Sequence, residues 1–144
     1  MYVFAVKRRE CLINEDIETK LYPFIGNLIN NTNHKLFQIN GSKEHVHILV
    51  SLHPTESISD FIKAIKSKSS KYINEQKLTA KKFYWQRGYG AFSYSHSQLN
   101  QIINYIKNQK EHHNIKTFRE EYIALLEKFG IDYKSEFLFN FFDV

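Results

Sequence analysis

Along residues 2–95 the apolar pattern switches between a period of two and a helical period in a fixed order, and that order restricts the fold more than any other feature. Residues 2–6 are aromatic and branched and predict a strand, with Lys7, Arg8 and Arg9 directly after it. Ile17, Leu21, Phe24, Ile25, Leu28 and Ile29 then recur at helical spacing and stop at Asn30 and Asn31. Residues 36–39 and 45–52 read as two strands, and Asn40-Gly41 between them is a tight-turn signal, so a hairpin is expected. Ser57, with Asp60 three residues on, resembles a capping box ahead of the stripe Ile58, Phe61, Ile62, Ile65, Tyr72 and Ile73. A loop with Trp85 and Gly88-Tyr89-Gly90 leads into a short strand at 91–95. Strand, helix, strand, strand, helix, strand is the split βαββαβ, ferredoxin-like arrangement: an α+β fold with an antiparallel sheet and helices on one face. Two further helices follow. One spans about residues 97–113 with Leu99, Ile102, Ile103 and Ile106 as its stripe; the other opens at Thr117 and Glu120, carries Phe118, Tyr122, Leu125, Leu126 and Phe129, and stops at Gly130.

No repeat or linker divides the 144 residues, which suit a single domain over 1–144 with an adequate core. Cys11 stands alone, which excludes an internal disulfide or a cysteine zinc site and points to a reducing cytoplasm. No apolar run reaches membrane-spanning length, and the start has no signal-peptide pattern, so no membrane partner is expected. The net charge of +5 is concentrated: Lys63, Lys66, Lys68, Lys71, Lys77, Lys81, Lys82 and Arg87 face only Glu75 between positions 63 and 87. Such a cluster suits a polyanion, although a solvated helix face accounts for it equally well.

Chemistry is carried by two pairs. In Glu44-His45-Val46-His47, strand alternation puts His45 and His47 on one face and Val46 on the other. Two neutral imidazoles in one small space form a ligand arrangement for a divalent cation; the alternative is a pair of polar residues on a wet sheet face. Tyr105 and Gln109, four residues apart, project about 40° from each other on one helical flank, beside the apolar stripe rather than within it. Taken alone, they are also compatible with a half-buried tyrosine and a solvated glutamine.

Together with their surroundings, these pairs resemble one family, the single-tyrosine HUH transposases of the smallest bacterial insertion sequences, with their REP-associated relatives. The resemblance rests on the opening strand with its basic end, Asn40-Gly41, His45-Val46-His47-Ile48-Leu49-Val50-Ser51-Leu52 and Ile65-Lys66-Ser67-Lys68-Ser69-Ser70. It continues through Trp85-Gln86-Arg87-Gly88-Tyr89-Gly90-Ala91-Phe92 and Tyr105-Ile106-Lys107-Asn108-Gln109-Lys110-Glu111-His112-His113. It implies that His45, His47 and the Gln109 side-chain oxygen hold Mg²⁺ or Mn²⁺ and that Tyr105 is the nucleophile. It also implies a 5′-phosphotyrosine intermediate, a single-stranded DNA substrate with hairpin ends, and a homodimer with exchanged tyrosine helices. The apolar tail 137–142, which needs a cover, is a weaker hint of the same dimer. Lys63, Lys66, Lys71 and Arg87 are expected to grip phosphates, with Trp85 and its aromatic neighbours as stacking surfaces. His112 and His113 are candidates for supporting or DNA contacts.

Three competing readings stay open. A ferredoxin-like binding module without chemistry would be indifferent to EDTA and to Tyr105→Phe. A small hydrolase using both histidines with Glu44 is disfavoured, because alternation turns Glu44 away from them. A domesticated nuclease of the same HUH class would keep every residue named.

Overall fold

The computed structural model describes residues 1–111 and 117–128, apart from the Arg9 side chain. Its elements are β1 (Tyr2–Ala5), α1 (Glu15–Asn30), β2 (Lys35–Gly41), β3 (His45–Ser51), α2 (Ile58–Glu75), β4 (Gly90–Ala91), α3 (Leu99–Lys107) and α4 (Phe118–Lys128). The sheet runs β2-β3-β1-β4 with every pair antiparallel, which is the expected ferredoxin-like topology.

Three of the four helices begin where the sequence offers a side-chain cap, α3 being the exception. The Asn14 side chain accepts from Ile17 N at 2.9 Å, Ser57 Oγ from Asp60 N at 3.1 Å and Thr117 Oγ1 from Glu120 N at 3.2 Å. Alternation along the strands then builds two cores. Tyr2, Phe4, Val6, Val46 and Ile48 pack with α1 and α2, whereas Val3, Ala5 and Leu49 pack with Ile102, Ile106, Phe118, Tyr122, Leu125 and Leu126. Helices therefore cover both faces, not one. The second face is where His45 and His47 point, opposite Ala5 and Val3 in the β1–β3 register.

Three expected boundaries are corrected. Asn40 and Gly41 do not form the hairpin turn; they pair with His47 and Val46 as the end of β2, and the chain reverses at residues 42–44, with Ser42 N donating to His45 O at 3.0 Å. The strand expected at 91–95 is reduced to Gly90–Ala91, because after Phe92 N reaches Met1 O the chain turns into a 3₁₀ segment, His96–Gln98. The long helix expected over 97–113 breaks at Asn108 (φ −94°, ψ 18°), with residues 109–111 helical beyond the break. His112, His113, the stop at Gly130 and the apolar tail lie outside the described residues.

Gly41 is demanded by space rather than by a positive φ. A Cβ there would sit 2.1 Å from His45 O and 2.9 Å from Val46 Cα, both backbone atoms with little freedom to give way. Gly41→Ala should therefore cost about 1–3 kcal/mol or more in urea unfolding, as overpacking does, and displace His45 with the hairpin end. Wild-type stability in this variant would mean that the hairpin end is looser than described.

Candidate active site

The β3 alternation, the register with β1 and the docking of α3 and α4 bring five chemically capable side chains together. His45, His47 and Gln109 are fully buried and Glu121 is 5% exposed, with Tyr105 half-buried at their edge. His45 Nδ1 is 2.8 Å from Ser42 Oγ, in the reversal that follows Gly41. That contact fixes the ring so that Nε2 faces inward, 3.3 Å from Gln109 Oε1. On its outer side His45 is stacked on Phe118 of α4, ring centres 4.0 Å apart and planes within 6°. The His47 ring stands edge-on to His45 at 5.0 Å and to Tyr105 at 5.8 Å.

Sequence reasoning missed Glu121. It projects from the first turn of α4, where it reads as one more polar residue after a cap, and only the docking of Phe118 against His45 carries it inward. Tyr105 OH donates to Glu121 Oε1, and Gln109 Nε2 donates to the same oxygen at 3.0 Å. His47 Nε2 lies 3.3 Å from Oε1, and His45 Nε2 lies 3.7 Å from Oε2. Tyr105 and Gln109 are thus brought together on Glu121 Oε1, across the break at Asn108 rather than along one unbroken helix. Glu44, the acid weighed against the histidines, takes no place in this cluster.

The two titratable groups that meet at Glu121 Oε1 are displaced in opposite directions. Burial raises the Tyr105 hydroxyl well above the ordinary phenol range, and the adjacent Glu121 carboxylate raises it further. Burial alone would also raise the Glu121 carboxyl, but contact with His47 foremost, then the charges of His47 and His45 and the bond from Tyr105, hold it well below the usual carboxylate range. Both ring nitrogens of His47 and Glu121 Oε2 are buried without a hydrogen-bond partner. Orphaned polar atoms of this kind are costly and uncommon, and a cation would take one lone pair from His47 and one from Glu121 Oε2. One ligand atom from each of His45, His47 and Glu121 can be chosen so that all lie within 4.8 Å of one another. The closest contacts, 3.3 and 3.7 Å, approach the roughly 3.0–3.5 Å separating neighbouring ligands around a cation bound at about 2.1 Å. The residues fit a divalent metal.

The cationic residues are placed differently. A groove of about 410 Å³ between α2 and the following loop is lined by Lys63, Lys66, Tyr84, Trp85, Arg87 and Tyr89, among others. Lys63 and Arg87 are exposed there, whereas Lys66 Nζ donates to Gln86 O at 2.8 Å and to Gly88 O at 2.5 Å, tying the loop to the helix. Trp85 is half-buried, edge-on to Phe4 and Phe83, with Nε1 donating to the buried Ser69 Oγ at 2.9 Å. Lys71 is exposed outside the groove lining, 3.8 Å from Glu75. α2 and the histidines occupy opposite faces of the sheet.

With this geometry in hand, the comparisons decide the family. Residues 1–109 match the family model described as "Transposase IS200 like". The chain belongs to the IS200-like transposases. The matched span takes in His45, His47 and Tyr105 and ends at Gln109, so Glu121 lies beyond it. The fold agrees with a crystal structure of a candidate transposase from Deinococcus radiodurans R1, at 22% identity and a TM-score of 0.60, covering 75% of this chain and 87% of that one. No curated protein matches the chain. Among the described residues, no helix of this IS200-like transposase is long and apolar enough to cross a membrane.

Proposed function

We propose that this transposase is a metal-dependent single-stranded DNA endonuclease and strand transferase of the cytoplasm, with Tyr105 as nucleophile. The observation that carries this reading is the convergence of the Tyr105 hydroxyl, Gln109, His45 and His47 on one buried spot inside the family-matched span.

His45 and His47 offer imidazole Nε2 atoms and Gln109 an amide oxygen to Mg²⁺ or Mn²⁺. Bound there, the cation supplies polarisation of a phosphate oxygen and stabilises the charge that builds during attack. Tyr105 Oη attacks the DNA phosphorus and the bond from phosphorus to the 3′ oxygen breaks. A 5′-phosphotyrosine and a free 3′-hydroxyl result; in the net balance, the phenol proton ends on the departing 3′ oxygen. The reverse attack by a 3′-hydroxyl rejoins DNA without ATP, because the phosphodiester energy is kept in the covalent intermediate. Burial and the Glu121 carboxylate both hold the phenol protonated, with Glu121 Oε1 accepting the hydrogen bond from its hydroxyl. The α2 groove, with Lys63, Arg87 and the exposed face of Tyr84, takes phosphates and unpaired bases of a hairpin-bearing strand, while Lys66 and Trp85 shape its wall. A homodimer belongs to the proposal on the family resemblance alone.

The test is a pool of labelled single-stranded hairpins incubated with the protein and Mn²⁺, then run on a denaturing gel. A covalent protein–DNA band that disappears with EDTA is expected. A protein that binds the pool equally well in EDTA and never forms the band would be a binding module.

A further inference from the structure

Building on the proposed metal-dependent reading, we propose that Glu121 is itself a ligand of the cation, through Oε2, while its Oε1 holds the Tyr105 hydroxyl beside the metal. The two oxygens differ in a way that a simple buried ion pair does not explain. Oε1 already accepts from Tyr105 and from Gln109 Nε2, whereas Oε2 is buried, 3.7 Å from His45 Nε2, and has no hydrogen-bond partner. The alternative is a Glu121 carboxylate neutralised by a protonated His47. That pair runs through Oε1, 3.3 Å from His47 Nε2, and leaves Oε2 buried without a hydrogen-bond partner. A cation instead accounts for Oε2, since one ligand atom from each of His45, His47 and Glu121 lies within 4.8 Å of the others.

The placement of Glu121 has an identifiable cause. Thr117 caps α4, Phe118 is fully buried and stacked on His45, and one turn later Glu121 faces the histidines. The fourth ligand thus comes from α4, outside the span that carries the other three. Its chemistry also matters. Two imidazoles and an amide are weakly selective, and a carboxylate makes the set harder and anionic, favouring Mn²⁺ and Mg²⁺ and lowering the net charge presented to DNA.

The test is titration calorimetry of the full chain with MnCl₂ alone, comparing wild type, Glu121→Gln and His45→Ala. The isosteric Glu121→Gln keeps the shape of α4 and should retain the wild-type circular dichroism spectrum, yet bind Mn²⁺ at least about tenfold more weakly. The upward shift in melting temperature caused by Mn²⁺ should shrink in parallel. If His45→Ala loses Mn²⁺ while Glu121→Gln binds it as tightly as wild type, Glu121 is no ligand and the metal reading survives without it. If Glu121→Gln also cleaves faster at unchanged Mn²⁺ affinity, α4 is a cover over the site. If wild type binds no Mn²⁺, both the inference and the reading beneath it fail.

Discussion

Tyr105→Phe should abolish the covalent protein–DNA adduct while leaving fold and hairpin binding intact. The substitution removes one oxygen from a half-buried ring at the edge of the cluster. The ring keeps its edge-on contact with His47, and the bond to Glu121 Oε1 is lost. That oxygen still accepts from Gln109 Nε2 at 3.0 Å, so no carboxylate oxygen is newly orphaned and the change in stability should stay within about 1 kcal/mol. Chemistry, by contrast, loses the proposed attacking atom, so adduct should fall below detection on a denaturing gel at protein concentrations where gel-shift affinity equals wild type. An adduct of wild-type yield in this variant would move the nucleophile elsewhere.

His45→Ala and His47→Ala should each lower cleavage by at least about 10²-fold, the scale seen when one stabilising group is removed from a preorganised charged centre. Mn²⁺ affinity measured by calorimetry should fall with it. The two variants differ structurally. His45→Ala leaves Phe118 without its stacking partner and Ser42 Oγ without its ring nitrogen, whereas His47→Ala takes from Glu121 Oε1 its 3.3 Å neighbour, so the first should melt lower through lost packing and the second through a carboxylate left with less compensation. Unchanged metal affinity in both would remove the metal centre from the account. The same variants address the dimer. Mixed with Tyr105→Phe under conditions of subunit exchange, the double variant His45→Ala/His47→Ala regains cleavage only where the site is shared between chains. One chain assembles all four residues within itself, through contacts such as Asn40 Nδ2 donating to Lys107 O at 3.0 Å, so a silent mixture would mean that this arrangement is the one assayed.

How far the sequence reveals this protein depends on whether a signal is local. Period-two and helical patterns, with caps at Ser57 and Thr117, announce elements that form where expected, because capping and amphipathicity act within a few residues. His45 and His47 share a face for the same reason: alternation is a property of one strand. Asn40-Gly41 misleads, because its glycine serves a close backbone approach rather than a turn, a requirement set by His45 O across the hairpin. The break at Asn108 and the arrival of Glu121 are tertiary. Neither a helical stripe nor a capping box says that α4 will lay Phe118 on His45, and so nothing marks Glu121 among its acidic neighbours. Lys66 shows the converse: a lysine on an apparently free helix face is spent on loop carbonyls, an outcome that charge counting does not foresee.

Peptide mapping of the covalent adduct reaches the central claim most directly. Trypsin should release residues 88–107, which contain Tyr89, Tyr94 and Tyr105, so fragmentation within this peptide distinguishes the three. The account predicts a nucleotide remnant on Tyr105, joined through its 5′ phosphate, in material made with Mn²⁺. A remnant on Tyr89 or Tyr94, or one joined through a 3′ phosphate, would contradict it.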